Sequence, residues 1–191
     1  MVAEILEYDR PLTFEDLAGF PDDGNRYELL QGELIVSPSP NGLHQTVISR
    51  LDGALAAAVK LAKYGKMFVA PFDVRFSPTD VVEPDLFAFS VAQYDHYKGS
   101  HFEGAPEFAI EVLSPGSVQT DRVRKASLYM NSRVREYWVV EPVSKRILVH
   151  LSGTVEPMPR IIISGTLHSE VIPGFSVNLD ELFAPELDTF E

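Results

Sequence analysis

The chain has 191 residues, of which 45% are hydrophobic, so it can bury a core, and its length favours a single domain. It contains no cysteine, which excludes disulfides and thiolate metal sites, so any bound metal must take oxygen or histidine ligands. The formal net charge of −12 argues against a general binder of nucleic acid or of anionic membranes.

The N-terminal sequence "MVAEILEYDR" lacks the basic and apolar regions of a signal peptide. No apolar run approaches the roughly 18 residues that a membrane span needs. We therefore expect a soluble, cytoplasmic protein with no membrane partner.

The first third of the chain predicts a short helix, a hairpin and a long helix. Thr13 and Asp16 have capping-box spacing ahead of "FEDL", and "RYELLQGELIVSP" reads as two short strands turning at Gln31 and Gly32. Apolar residues then recur every three or four positions across residues 43–61, with Gly65 as the stop signal.

After this helix the pattern changes to β-strands. The runs "KMFVAPFDVRF", "VVEPDLFAFS" and "PEFAIEVLS" predict three strands, with a longer loop over residues 91–105. A helical run, "TDRVRKASLYMNS", a strand pair, "REYWVVEP" and "KRILVHLS", and small C-terminal β pieces follow. This order predicts an α/β (α+β) fold with a mixed central sheet flanked by helices. We expect one domain over residues 1–191, with a core at about 12–151 and a C-terminal β extension at about 152–183.

Two predicted strands each carry one acid that their surroundings do not explain. In "PEFAIEVLS" both faces of the strand are apolar except for Glu111, and Asp85 enters another strand directly after Pro84. A buried carboxylate without a partner costs several kcal/mol, so such an acid is paired, protonated or bound to a metal. Two inward acids with a nearby cation are what a hydrolytic magnesium site requires.

Lys125 is the candidate cation, because it lies on the helix that follows Glu111. There it could orient an attacking water or stabilise charge on a phosphate oxygen. A structural reading also stands: Lys125 is four residues after Asp121, the spacing of an ordinary surface ion pair, and Glu111 could pair with Arg122 or Arg124.

Positive charge is concentrated between Ser114 and His150. This window has seven basic and three acidic residues, a net charge of +4, which leaves −16 for the rest of the chain. One region could therefore face a polyanion, with Arg122 and Arg124 as candidate nucleic-acid contacts, although ordinary solvated charges would give the same count.

The ordered motifs "RYELLQGEL", "EPDLFAF", "IEVLSPGS" and "DRVRKASLYMNSRVREYWVVEP" closely resemble the Uma-two family, also described as domain of unknown function 820. That family belongs to the restriction-endonuclease-like PD-(D/E)XK nuclease superfamily, and the resemblance runs from about Leu12 to Phe183. It implies a restriction-endonuclease-like fold, with the C-terminal strands as an addition, and a phosphodiester hydrolase site that uses Mg²⁺ or Mn²⁺.

Carried over residue by residue, the resemblance makes Asp85 and Glu111 the metal-binding and catalytic acids. The superfamily's lysine would stand two residues after the second acid, where this chain has Leu113, so the resemblance implies that Lys125 replaces it. An early glutamate is often a further ligand, which Glu28 or Glu33 could supply. His44 is a further candidate, because the family pattern carries a histidine at the start of the long helix.

The resulting hypothesis is an endonuclease acting on nucleic acid, with DNA as the expected substrate and a homodimer expected by analogy. One alternative is an inactive nuclease fold that serves as a binding module, which the charge of −12 and Leu113 both favour. Another is a small-molecule hydrolase that uses the same cleft.

Overall fold

The computed structural model describes residues 4–6, 8–114, 119–153 and 158–185, with the backbone alone for residues 4–6 and 119–122. Its strands are β1 (Glu4–Leu6), β2 (Arg26–Leu30), β3 (Glu33–Ser37), β4 (Gly65–Val69), β5 (Asp73–Ser77), β6 (Asp80–Val82), β7 (Leu86–Ser90), β8 (His101–Glu103), β9 (Phe108–Val112), β10 (Glu136–Glu141), β11 (Arg146–Leu151), β12 (Arg160–Ile162), β13 (Thr166–His168) and β14 (Ser176–Asn178). Its helices are α1 (Phe14–Leu17), α2 (Gly42–Ala62), α3 (Gln119–Asn131) and α4 (Leu179–Leu182), with a 3₁₀ helix over Val91–His96.

The described strands form two six-stranded sheets and a two-stranded one. The first sheet has the order β1-β3-β2-β6-β5-β8, the central sheet has the order β12-β11-β10-β9-β7-β4, and β13 pairs with β14. Both large sheets are mixed, because β9 lies parallel to β10 and β5 lies parallel to β8 while their other pairs are antiparallel. The predicted fold class is confirmed, but its strands are divided between two large sheets.

The chain passes from one large sheet to the other at a proline in two of the predicted strands. The run "KMFVAPFDVRF" breaks at Pro71 into β4 of the central sheet and β5 of the first sheet. The run "VVEPDLFAFS" breaks at Pro84 into β6 and β7. Proline has no N–H to donate to a sheet ladder, so each strand ends there. The strand that follows pairs in the other sheet.

The hairpin and the helices form as the sequence predicts, except that Lys63 in the left-handed conformation ends α2 and the expected stop residue, Gly65, begins β4. The short C-terminal strands also form, and β12 joins the central sheet. Gln31 and Gly32 connect β2 to β3 with φ of 55° and 79°, as a two-residue hairpin turn requires. The segment predicted as a loop over residues 91–105 instead contains the 3₁₀ helix and β8. None of the helices in the described ranges is long and apolar enough to cross a membrane.

The two faces of the central sheet pack against different partners. On one face, α2 contributes Val47, Leu51 and Leu55 to a cluster that includes Ile110 and Trp138. On the other face, Ala109 packs in a second cluster with residues of α3 and of the first sheet. Alternate residues of β9 therefore face opposite layers, as its period-2 pattern predicts. The side chain of Glu111 lies on the face that meets α3 and the first sheet.

Candidate active site

Asp85 is held at the junction between the two large sheets, directly before β7. Its side chain is almost fully buried, and its carboxylate Oδ2 accepts a hydrogen bond of 2.7 Å from the backbone N–H of Val112. His44 Nε2 lies 3.1 Å from the same oxygen, and Arg26 Nη2 lies 2.8 Å from Oδ1. Three elements besides its own strand therefore fix this carboxylate.

These partners keep Asp85 ionised. Burial alone would raise its pKa, but the hydrogen bond from His44, the charge of Arg26 and the Val112 N–H all favour the carboxylate, and the net effect lowers the pKa below its usual value. The carboxylate can only accept, so His44 donates through Nε2.

His44 reaches Asp85 because it stands in the first turn of α2. Asn41 caps this helix by accepting the His44 backbone N–H through Oδ1 at 3.0 Å. The other ring nitrogen, Nδ1, is buried and has no hydrogen-bond partner among the described residues.

Glu111 lies in the middle of β9, a strand buried at every position. Its Oε1 accepts a hydrogen bond of 2.9 Å from the Tyr129 hydroxyl and lies 3.4 Å from Lys125 Nζ. Burial raises the pKa of Glu111 to about 8, with a further increase from the negative charge of Asp85, although the charge of Lys125 opposes it. At neutral pH without a bound cation, Glu111 therefore favours the protonated form.

Lys125 lies between two acids that come from different sheets. Its Nζ is 2.8 Å from Oε1 and 2.6 Å from Oε2 of Glu28, in addition to its contact with Glu111. Glu28 is almost fully buried on β2, and its Oε1 also accepts the backbone N–H of Glu83 at 2.8 Å. The ammonium thus bridges the first sheet and the central sheet.

Of the two early glutamates that the sequence left open, the structure places Glu28 in this cluster and Glu33 outside it. Glu33 is half-exposed, and its Oε2 pairs with Arg124 Nη1 at 2.6 Å. Arg124 also donates from Nη2 to the backbone carbonyl of Leu30 at 3.0 Å, so it ties α3 to the hairpin. Its charge is therefore compensated by Glu33. Arg122 lies in the first part of α3, where its side chain is outside the described residues.

Comparisons with known proteins identify the family of this chain and a solved structure with a similar fold. The model of the Uma2 family (the Uma-two family named above), described as "Putative restriction endonuclease", matches residues 12–180. This chain belongs to the Uma2 family. Its fold is similar to the crystal structure of "a putative nuclease belonging to DUF820" from Anabaena variabilis ATCC 29413. That similarity has a TM-score of 0.76 at 18% identity, and covers 91% of this chain and 98% of the other. No curated protein matches.

The Uma2 assignment agrees with the resemblance found in the sequence and supports a nuclease-like function. At 18% identity, the solved structure supports only the similarity of the fold. The cluster of Glu28, Asp85, Glu111 and Lys125 lies entirely within the matched range. The sequence separations within it are large, with 97 residues between Glu28 and Lys125.

The donor atoms of this Uma2 chain fit a hard divalent cation held by few protein ligands. Within the described ranges, no three His, Asp or Glu side chains are grouped so that they could hold a metal ion. Magnesium, however, often binds through only one or two carboxylates and takes its remaining ligands from water and phosphate. Asp85 and Glu111 supply such a pair. Asp85 Oδ1 is buried and has no aligned hydrogen bond in the described structure, despite the nearby Arg26 guanidinium.

Sequence reasoning missed three residues of the Uma2 site. Arg26 stands two residues before Glu28 on β2 and so shares its face, and Tyr129 stands four residues after Lys125 on α3. Both spacings were signals that could have been used. The third, Glu83, lies close to the site, and burial raises its pKa to about 7, with Glu28 and Asp73 adding to the increase. Nothing in its spacing marked this environment.

Proposed function

We propose that this Uma2 protein is a metal-dependent endonuclease of the PD-(D/E)XK type that hydrolyses phosphodiester bonds in nucleic acid, with DNA as the substrate. One observation carries the proposal: β2, the start of β7, β9 and α3 bring Glu28, Asp85, Glu111 and Lys125 into one buried cluster. A buried group of acids with perturbed pKa values around one lysine is typical of a catalytic site.

Asp85 and Glu111 would hold the Mg²⁺ or Mn²⁺ ion. When bound, the ion supplies positive charge that polarises the phosphate and makes water a stronger nucleophile. Tyr129 fixes the carboxylate of Glu111 by its hydrogen bond, and its own ring is stacked on Tyr137 with centroids 4.3 Å apart. His44, Arg26 and the Val112 N–H hold Asp85 in its ionised form.

Lys125 would supply the protein's positive charge in this mechanism. Its ammonium can donate three hydrogen bonds, and Glu28 and Glu111 now accept from it. In the reaction, Lys125 would stay anchored to Glu28 and donate from its ammonium to the attacking water or to a phosphate oxygen. Glu28 is thus a positioning residue for Lys125. This role accounts for a lysine that comes from α3 rather than from position 113.

The test is cleavage of supercoiled plasmid DNA with Mg²⁺ or Mn²⁺ by the wild type, Asp85→Asn and Glu111→Gln. Both variants should cut at least about ten- to a hundredfold more slowly than the wild type, the loss that removal of groups orienting a metal produces. The control is Glu103→Gln on β8, whose side chain is 44% exposed and outside the cluster, and which should cut like the wild type. Circular dichroism melting verifies that each variant is folded. Equal cutting by wild type and Asp85→Asn would disprove the assignment.

A second candidate function is a nuclease-like fold that binds nucleic acid or a protein without cutting. The observation in its favour is that Arg26 and Lys125 already compensate the acids of the cluster, while His44 is hydrogen-bonded to Asp85. This candidate predicts no cleavage by the wild type and no heat of Mn²⁺ binding that depends on Asp85. Calorimetric titration of Mn²⁺ into the wild type and Asp85→Asn distinguishes the two functions. Metal binding without salt-dependent affinity for DNA would instead indicate a small-molecule hydrolase.

A further inference from the structure

A cavity, here called the side pocket, opens beside the acid cluster. Its volume is about 460 Å³, and its lining includes Phe20, Arg26, Tyr27, Gln45, Asp73 and Glu83. Arg26 belongs to both places, because its guanidinium lies 2.8 Å from Asp85 while the residue lines the pocket. The side pocket is therefore adjacent to the point where the scissile phosphate would lie.

The electrostatics of the side pocket disfavour a phosphate as its occupant. Asp22, Asp73 and Glu83 line it, and the single guanidinium, that of Arg26, is already paired with Asp85. Carboxylates repel an anion at this distance but accept hydrogen bonds from neutral N–H groups. The occupant should therefore be an uncharged group that is rich in donors.

The walls of the side pocket suit a flat ring. Phe20 and Tyr27 form an aromatic pair with ring centroids 5.1 Å apart and planes 26° apart. The Tyr27 hydroxyl donates to Asp23 at 2.9 Å, which anchors its ring. Aromatic side chains of this kind provide stacking surfaces for nucleobases. The Oε2 atom of Glu83, meanwhile, is buried with no hydrogen-bond partner in the described ranges.

We propose that the side pocket receives a guanine base extruded from the nucleic-acid strand next to the scissile phosphate. The inference rests on the proposed function for its substrate class. Guanine presents two adjacent donors, N1–H and the N2 amino group, which together match one carboxylate such as that of Glu83. Its O6 can accept from the Gln45 amide. Thymine places a single N–H between two carbonyls, which the carboxylates of the pocket would repel.

The first arm of the test measures base binding without cleavage. Deoxyguanosine, deoxyadenosine, deoxycytidine and thymidine are each titrated into ¹⁵N-labelled wild type, and amide shifts are followed by NMR. Deoxyguanosine should shift amides around residues 24–27, 70–73 and 83, and thymidine should not. Glu83→Gln should weaken deoxyguanosine binding about tenfold or more, since it replaces one acceptor oxygen with a donor. The control is Tyr94→Ala, an exposed aromatic residue of the 3₁₀ helix, which should leave binding unchanged.

The second arm sequences the ends produced from a randomised DNA substrate with Mn²⁺. Wild-type ends should be enriched in guanine at one fixed position beside the cut. Among the ends that Tyr27→Ala produces, the guanine enrichment should be about fivefold or more lower than among wild-type ends.

The two arms separate failure of the pocket assignment from failure of the nuclease assignment. Deoxyguanosine binding without any cleavage would support the pocket and overturn the proposed function. Cleavage without guanine enrichment, or equal shifts from all four nucleosides, would overturn the pocket assignment. The amide spectrum of each variant establishes that it is folded.

Discussion

Replacement of Lys125 by methionine tests whether its ammonium holds the cluster together. The Lys125 side chain is 10% exposed, and those of Glu28 and Glu111 are 2% and 9% exposed. Lys125→Met keeps the apolar stem of the side chain but leaves the buried carboxylate of Glu28 without its cation. Removing one partner of a buried ion pair costs about 3–5 kcal/mol of the free energy of unfolding. For a chain of this length each kcal/mol lowers Tm by about 2–4 °C, so the expected decrease is about 6–20 °C.

The assay is urea unfolding at pH 7 together with a thermal melt. The control is Lys98→Met, whose side chain is 45% exposed and 3.5 Å from Glu103, and which should lose less than about 1 kcal/mol. The double variant Lys125→Met with Glu28→Gln should recover part of the loss, because the uncompensated charge of Glu28 is gone. A loss below about 1 kcal/mol for Lys125→Met would refute the view that this ammonium compensates buried acids.

Three further predictions follow from the described contacts. The folded protein retains the Glu111 proton up to about pH 8, whereas the unfolded chain retains it only up to about pH 4.5. The contribution of this group to the free energy of unfolding therefore decreases as the pH rises from about 4.5 to about 8. Glu111→Gln should therefore flatten the decrease in urea midpoint from about pH 5 to about pH 9. Tyr129→Phe removes the hydroxyl donated to Glu111 and should cost about 1–3 kcal/mol by urea unfolding. Gly65→Ala would force a Cβ into the Phe89 carbonyl of β7 and should lower Tm, whereas Gly53→Ala on α2, where a Cβ meets nothing within 4 Å, should raise it.

The sequence predicted the elements of this fold better than their division between sheets. The hairpin at Gln31 and Gly32 and the long helix follow from local patterns, because turn chemistry and apolar periodicity decide them. The exchange of strands between sheets at Pro71 and Pro84 depends on tertiary pairing. The sequence of a strand that is interrupted by proline does not show whether its two halves belong to one sheet or to two.

The candidate site shows the same limit. Asp85 and Glu111 were visible because an acid in an apolar strand is a local anomaly. Lys125 was visible because it lies on the helix that follows Glu111, and the family resemblance supported it. The sequence could not show that Glu28 rather than Glu33 joins the site. Both lie on the same hairpin, and only the docking of α3 decides which one meets Lys125. Arg26 escaped notice because an arginine at the start of a strand is ordinary until its partner, Asp85, is known from the structure.

The 97 residues that separate Glu28 from Lys125 also affect how the molecule is assembled. Closing a loop of this length costs conformational entropy before the contact forms, so we expect this ion pair to form late in folding. During synthesis, the strand that bears Glu28 leaves the ribosome well before α3 is made. A growing chain therefore carries the acids without their ammonium, and the complete cluster exists only once the helix has docked between the sheets.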